Sequence, residues 1–159
     1  LSIIKKLKRT NNDIRISSDF IIGYPGETEN DFNDTLKLIK DVGFINSYSF
    51  IFSPRPGTPA AKKNLIDLEI SKNRLEKLQA ILENIQLQNN ENYLGKYAEV
   101  LVENKIKNQD KFFGRTKLMN PVIFESNICK PGELINVKIK SFNKNSLFGD
   151  YKNNKVEAA

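Results

Sequence analysis

Around Gly95 the apolar residues of this chain change their period. Ahead of it, from about Leu68 to Tyr93, the residues Leu75, Leu78, Ile81, Leu82 and Ile85 return at helical spacing. Beyond it, Ala98, Val100 and Val102 alternate with Glu99, Leu101 and Glu103, and Ile135, Val137 and Ile139 alternate with Asn136, Lys138 and Lys140. A 3.6-residue stripe belongs on a helix and a two-residue alternation belongs on a strand, so the two halves of this stretch need different backbones. The spacing predicts a long helix closed by Gly95, followed by an all-β part. "FFGRTK", "PVIFES" and "SLFGDYK" supply three more short strands. Five short strands with turn signals between them, over about 60 residues, point to a small closed barrel.

Upstream the pattern is different again. Residues 3–9 read as the end of a helix with a basic face. "IRISSDFIIGY" then forms an apolar, β-branched run whose centre, Phe20 to Ile22, predicts a strand buried on both faces, as in a parallel sheet. Thr28 is placed to cap a helix, with Asp31 in capping-box position. Phe32, Leu36 and Ile39 recur at helical spacing, joined by Leu38 and Val42, and Gly43 suits the residue just past the helix end. "FINSYSFIFS" reads as a second strand, which makes residues 14–53 one βαβ unit with a right-handed crossover. "PRPGTPAAKK" cannot prolong that strand, because its prolines remove donors and fix φ.

The totals exclude several classes of function. At 159 residues, 39% apolar and 28% charged, the chain has the composition of one or two globular domains. No apolar run reaches the roughly 18 residues of a membrane span, so no membrane partner is expected. "LSIIKKLKRTNN" is too charged for a secretory signal, and a cytoplasmic location is the expectation. The chain starts at Leu1 with a helix-like segment already under way, which fits a part of a longer protein. There is no histidine, the commonest general base and metal ligand. The single cysteine, Cys129, excludes an internal disulfide and any cysteine-built metal site, and a structural role is expected for it. Neither catalytic nor metal-ligating residues are expected in this chain. No internal repeat stands out beyond a Lys/Asn/Ile bias.

Charge is unevenly spread. Residues 1–92 carry 13 Lys+Arg against 12 Asp+Glu, whereas residues 93–159 carry 12 against 7. The basic excess lies in the β part and favours a polyanionic partner there, although a lysine-rich solubility surface would give the same totals.

Two loops, "GYPGET" and "SPRPGTPA", follow the carboxyl ends of the two strands of the βαβ unit, where parallel α/β folds build their sites. Gly23 and Gly26 lack a Cβ, Pro25 stiffens the turn, and Thr28 opens a helix whose N-terminus favours anionic groups. Spacing alone leaves open whether this is a ligand loop or a plain strand-to-helix turn.

"SSDFIIGYPGETENDF", "VGF" and "SFIFSPRPGTPAA" resemble the late barrel strands of the radical S-adenosylmethionine (SAM) methylthiotransferases. "YLGKYAEVLVEN", "FFGRT" and "GELINVKIKSFNKNSLFGDY" resemble the TRAM domain, the small RNA-binding barrel that ends these enzymes. The resemblance implies an α/β architecture that is one segment of a TIM-like radical-SAM barrel over residues 1–62. A connecting helix over 63–92, an OB-like all-β TRAM barrel over 93–152 and a tail over 153–159 would follow. It implies SAM and 4Fe-4S clusters as cofactors of the full-length enzyme, and the anticodon stem-loop of tRNA as partner. Within the family, "SPRPGTPA" is most similar to the branch that converts N(6)-isopentenyladenosine beside the anticodon to its 2-methylthio form. A branch acting on threonylcarbamoyladenosine is the alternative.

The family packs a Gly-x-Ile-x-Gly-x-x-Glu strand on the adenine of SAM. Ile21 and Gly23 match it, while Asp19 replaces the first glycine and Glu27 comes one position late. By resemblance the cofactor side consists of Ile21, Ile22, Gly23, Pro25 and Arg55, the arginine being suited to clamp a carboxylate or phosphate. The CxxxCxxC loop and the auxiliary-cluster cysteines of the family are absent from this chain. By the resemblance the chain is the C-terminal portion of such an enzyme, either a truncated product or one half of a split protein whose separate N-terminal half bears the clusters, and the chain by itself is expected to be inactive. On the RNA side, Phe113, Arg115, Lys117, Lys138 and Lys140 are the candidates, with one of Phe112 and Phe113 expected in the core because strand neighbours face opposite ways. A stand-alone TRAM-type RNA-binding module is the competing reading. In isolation, residues 1–62 should expose apolar sheet edges and aggregate or seek a partner.

Overall fold

The computed structural model describes residues 1–126 and 128–151, so the expected tail over 153–159 lies outside the described residues. The chain divides into two compact units, Leu1–Ile85 and Gln86–Ala159.

In the first unit, α1 (Ser2–Thr10) precedes β1 (Asp19–Ile22), α2 (Glu29–Val42) and β2 (Tyr48–Ile51). A 3₁₀ turn at Pro59–Lys62 follows, and α3 (Leu68–Glu91) begins in this unit. Thr28 caps α2 as expected: its hydroxyl accepts from the Asp31 amide, and the Asp31 carboxylate accepts from the Thr28 amide. Gly43, at φ 69°, ends the helix in the left-handed region that glycine adopts without strain. β1 and β2 pair in parallel, with Asp19 opposite Tyr48 and Ile21 opposite Phe50.

The expected double-sided burial of β1 is not what the fold shows. Phe20 and Ile22 pack with Phe32, Ile39, Val42, Phe44, Leu78 and Leu82, while Ile21 on the other face is 58% exposed. Tyr48 and Phe50 share that open face. The physical reason is that α2 and α3 supply apolar partners to one side only. The strand is also shorter than the apolar run, because residues 14–18 stay outside it.

The second unit is a closed barrel in the order β3-β4-β5-β7-β6, shut by the pairing of β6 with β3. Its strands are β3 (Tyr97–Lys105), β4 (Lys111–Thr116), β5 (Pro121–Glu125), β6 (Leu134–Phe142) and β7 (Leu147–Asp150). Alternation fills the interior with Ala98, Val100, Val102, Phe112, Val122, Phe124, Ile135, Val137, Ile139 and Leu147. Closure removes the open edges of the sheet. Two corners of the barrel are built alike. The β3–β4 register slips at Glu103 opposite the Phe113-Gly114-Arg115 stretch, and the β6–β7 register slips at Lys140 opposite Phe148-Gly149-Asp150. Such bulges bend a strand round a tight barrel.

Candidate ligand loop and nucleic-acid interface

The loop after β1 is closed on itself and on α3. The Gly23 amide donates to Glu27 Oε2 at 2.7 Å, and Arg74 Nη1 donates to Glu27 Oε1 at 2.9 Å. Arg74 Nη2 reaches Glu29 Oε2 at 3.0 Å, and the guanidinium lies 5.5 Å from the Phe32 ring centre. Arg74 is only 7% exposed, and its Nε has no partner. Gly23 has φ +75°, and a Cβ there would meet Ser71 Oγ at 2.5 Å. Its lack of a side chain is therefore required by the turn and by α3, before any ligand is considered.

Of the residues expected on the cofactor side, Gly23 and Pro25 are buried, and Ile22 belongs to the core on the face turned away from Ile21. Ile21 alone of these strand and loop positions is open to a ligand, beside Phe50. Arg55 is exposed on the second loop, where its carbonyl accepts from Thr58. Tyr24 joins the two loops, edge-on to Phe52 at 5.1 Å and with Lys63 Nζ 5.7 Å from its ring centre. The apolar surface at Ile21 and Phe50 suits a flat nucleoside ring, and Arg55 on the following loop is exposed, so the residues present fit SAM in part. They do not fit an iron–sulfur cluster. The one thiol, Cys129, is buried with its sulfur accepting from Ser126 Oγ at 3.0 Å, and burial raises its pKa. Among the described residues no group of three His, Cys, Asp or Glu could hold a metal ion.

Sequence reasoning missed Ser71 and Arg74. The signal was present: both precede Leu78 at helical spacing, placing polar groups in an apolar register.

On the barrel, ion pairs sort the expected RNA-side residues. Arg115 Nη1 donates to both Glu103 oxygens at 2.6 Å and lies 5.0 Å from the Phe113 ring centre. Lys140 pairs with Asp150. Both cations are thus opposed by carboxylates, each pair built at one of the two matched bulges. Lys138 and Lys117 are exposed and have no carboxylate partner among the described contacts. Phe113 is half-buried, while Phe112 stacks on Phe124 in the core, so the strand parity expected for this pair holds.

At one end of the barrel a polar cluster ties the last turns of α3 to the loops. Asn90 donates to the Asn143 carbonyl at 2.8 Å and accepts from Asn120 at 3.0 Å. Asn120 in turn accepts from Tyr93 and Thr116. No ligand role is needed to explain these residues, since buried polar atoms require partners.

Comparison with known proteins follows this division. Residues 91–152 match the TRAM domain model. Over 149 residues, 94% of the chain, it is 54% identical to a protein of Pelagibacter ubique (strain HTCC1062) named tRNA-2-methylthio-N(6)-dimethylallyladenosine synthase. Proteins of the same name from Zymomonas mobilis (strain ZM4) and Buchnera aphidicola (strain Bp) are 43% and 47% identical over 152 residues each. The match covers 33% of the Pelagibacter protein and 34% of the other two. The chain spans about a third of the length of these relatives. No described helix is long and apolar enough to cross a membrane.

Proposed function

We propose, for a chain that carries a TRAM domain at its barrel and is related over nearly its whole length to a third of the tRNA-2-methylthio-N(6)-dimethylallyladenosine synthases, that it serves as the C-terminal part of such an enzyme. The reaction is conversion of N(6)-isopentenyladenosine beside the anticodon to its 2-methylthio derivative. The relatives' names favour this substrate over threonylcarbamoyladenosine. In this reading residues 1–62 are one segment of a TIM-like barrel whose other strands lie outside these 159 residues. The open Ile21–Phe50 face is the side that segment turns to its ligand. Bound SAM would supply the methyl group and the hydrogen-abstracting radical, and the clusters would be held by cysteines outside this chain. Ile21 would lie against the adenine and Arg55 against the carboxylate, with the Glu27–Arg74 latch fixing the loop between them. The TRAM barrel would hold the anticodon stem-loop, and the tRNA partner implies a cytoplasmic place of work.

The observation that carries this reading is 54% identity over 94% of the chain, across both the βαβ unit and the barrel. A chimera tests it, with this chain replacing the matching third of the Pelagibacter ubique synthase. The expected result is 2-methylthio-N(6)-isopentenyladenosine in digested tRNA, seen by mass spectrometry. A chimera that binds its clusters yet leaves the tRNA unmodified would contradict it. A second reading, a free-standing RNA-binding module, is favoured by the barrel's closure on its own core. That reading expects RNA binding by the chain together with an inactive chimera.

A further inference from the structure

We propose that the outer face of the β3–β6 pair holds an unpaired RNA base, with Tyr97 as the stacking surface and Lys138 meeting the adjoining phosphate. This rests on the RNA-binding reading above and narrows it to one face. Tyr97 is directly opposite Lys138 in the antiparallel register, Glu99 is opposite Asn136, and Leu101 is opposite Leu134. Residues so paired on one face stand about 5 Å apart at Cβ. All six are exposed, because the alternate positions Ala98, Val100, Ile135 and Val137 fill the barrel.

Tyr97 and Leu134 are each 66% exposed, and Tyr97 has neither a ring partner nor a hydrogen bond among the described contacts. The register partner of Lys138 on β7, Asp150, is occupied by Lys140, which leaves the Lys138 ammonium uncompensated. Three apolar side chains are too few for a stable protein interface, which buries roughly 1,200–2,000 Å². A bare ring beside an uncompensated ammonium suits a single strand, whose bases stack and whose phosphates need neutralising. A duplex keeps its bases inside and cannot use the ring. The Glu99 carboxylate repels phosphate, so the backbone passes on the Lys138 side and a base edge faces the Glu99–Asn136 pair.

The test uses the full chain and an RNA hairpin of the anticodon-arm shape with 2-aminopurine in its loop. Wild type should quench the 2-aminopurine fluorescence on binding. Tyr97→Ala should weaken binding by about tenfold or more and abolish the quench, while Tyr97→Phe retains both. Lys138→Gln should reduce the slope of log K against log salt by about 0.7, one single-strand phosphate contact. Binding and quench in Tyr97→Ala equal to wild type would overturn the assignment of this face while leaving RNA binding by the barrel intact. Wild type that binds no hairpin at low salt would overturn both. A Tyr97→Ala chain that changes only its oligomeric state would mark the face as a protein contact and overturn the proposal.

Discussion

Gly114 and Gly149 occupy equivalent places at the two bulged corners of the barrel, opposite Val102 and Ile139. A Cβ on Gly114 would run into the Leu101 carbonyl, and one on Gly149 into the Lys138 carbonyl. Since the obstacle is cross-strand backbone, it cannot swing aside. Gly114→Ala and Gly149→Ala should each cost about 1–3 kcal/mol, read as a lower urea midpoint. Gly132→Ala, with open space around its Cβ site, serves as a comparison limited to its positive φ. The pairing of Phe-Gly-Arg with Phe-Gly-Asp was not legible in advance, because its two copies share only two residues and differ in the sign of their charge. A second residue-scale effect concerns pH. The Thr28 hydroxyl and amide hold the exposed Asp31 carboxyl below its ordinary value. Its contribution is therefore complete above the unfolded-state pKa and is lost as pH falls through the lower folded value. Thr28→Ala should be less stable than wild type at pH 7, with the gap narrowing as pH falls through the lowered folded value of Asp31 and the part that remains being the cap on the Asp31 amide, which does not titrate.

Among the elements, α3 packs the apolar stripe expected of it and buries polar side chains as well. Its first half carries Ser71, Arg74, Leu78 and Leu82 into the first unit. Its last turns carry Asn90 into the polar cluster of the barrel unit. The helical period made the element legible, but its apolar stripe could not reveal which polar residues on the same face were buried. The short strands show the complementary limit. Phe20 to Ile22 reads the same whether one face or both are covered, and only the placement of α2 and α3 decides it. The latch formed by Arg74 gives an element-scale prediction. Arg74→Ala leaves the nearly buried Glu27 carboxylate without its cation, at a cost of about 3–5 kcal/mol. Hydrogen exchange at the Gly23 amide should quicken with it, since that amide is held by the same carboxylate. Unchanged exchange in a destabilised variant would show that the loop does not depend on α3.

For the molecule as a whole, the division of charge parallels the division of structure. The first 92 residues are nearly neutral, and the surplus of lysine lies in the barrel part. The barrel was readable because period-two alternation and turn residues leave few alternatives for five short strands. Which lysines are uncompensated was not readable, because ion pairs such as Lys140–Asp150 and Arg115–Glu103 depend on bulged registers. With one buried thiol, the chain incubated anaerobically with iron and sulfide should develop no charge-transfer absorbance of a 4Fe-4S cluster. A stoichiometric cluster would mean that ligands other than a cysteine triad had been found.

The most direct measurement is the salt dependence of binding between the 159-residue chain and an anticodon-arm hairpin, set beside a blunt duplex of the same stem. The expected result is tighter binding of the hairpin, with log K falling against log salt at a slope of about −1.4 or steeper, roughly 0.7 for each phosphate met by the uncompensated Lys117 and Lys138. Equal affinity for hairpin and duplex, or a slope near zero, would contradict the proposal that the barrel holds an unpaired tRNA loop.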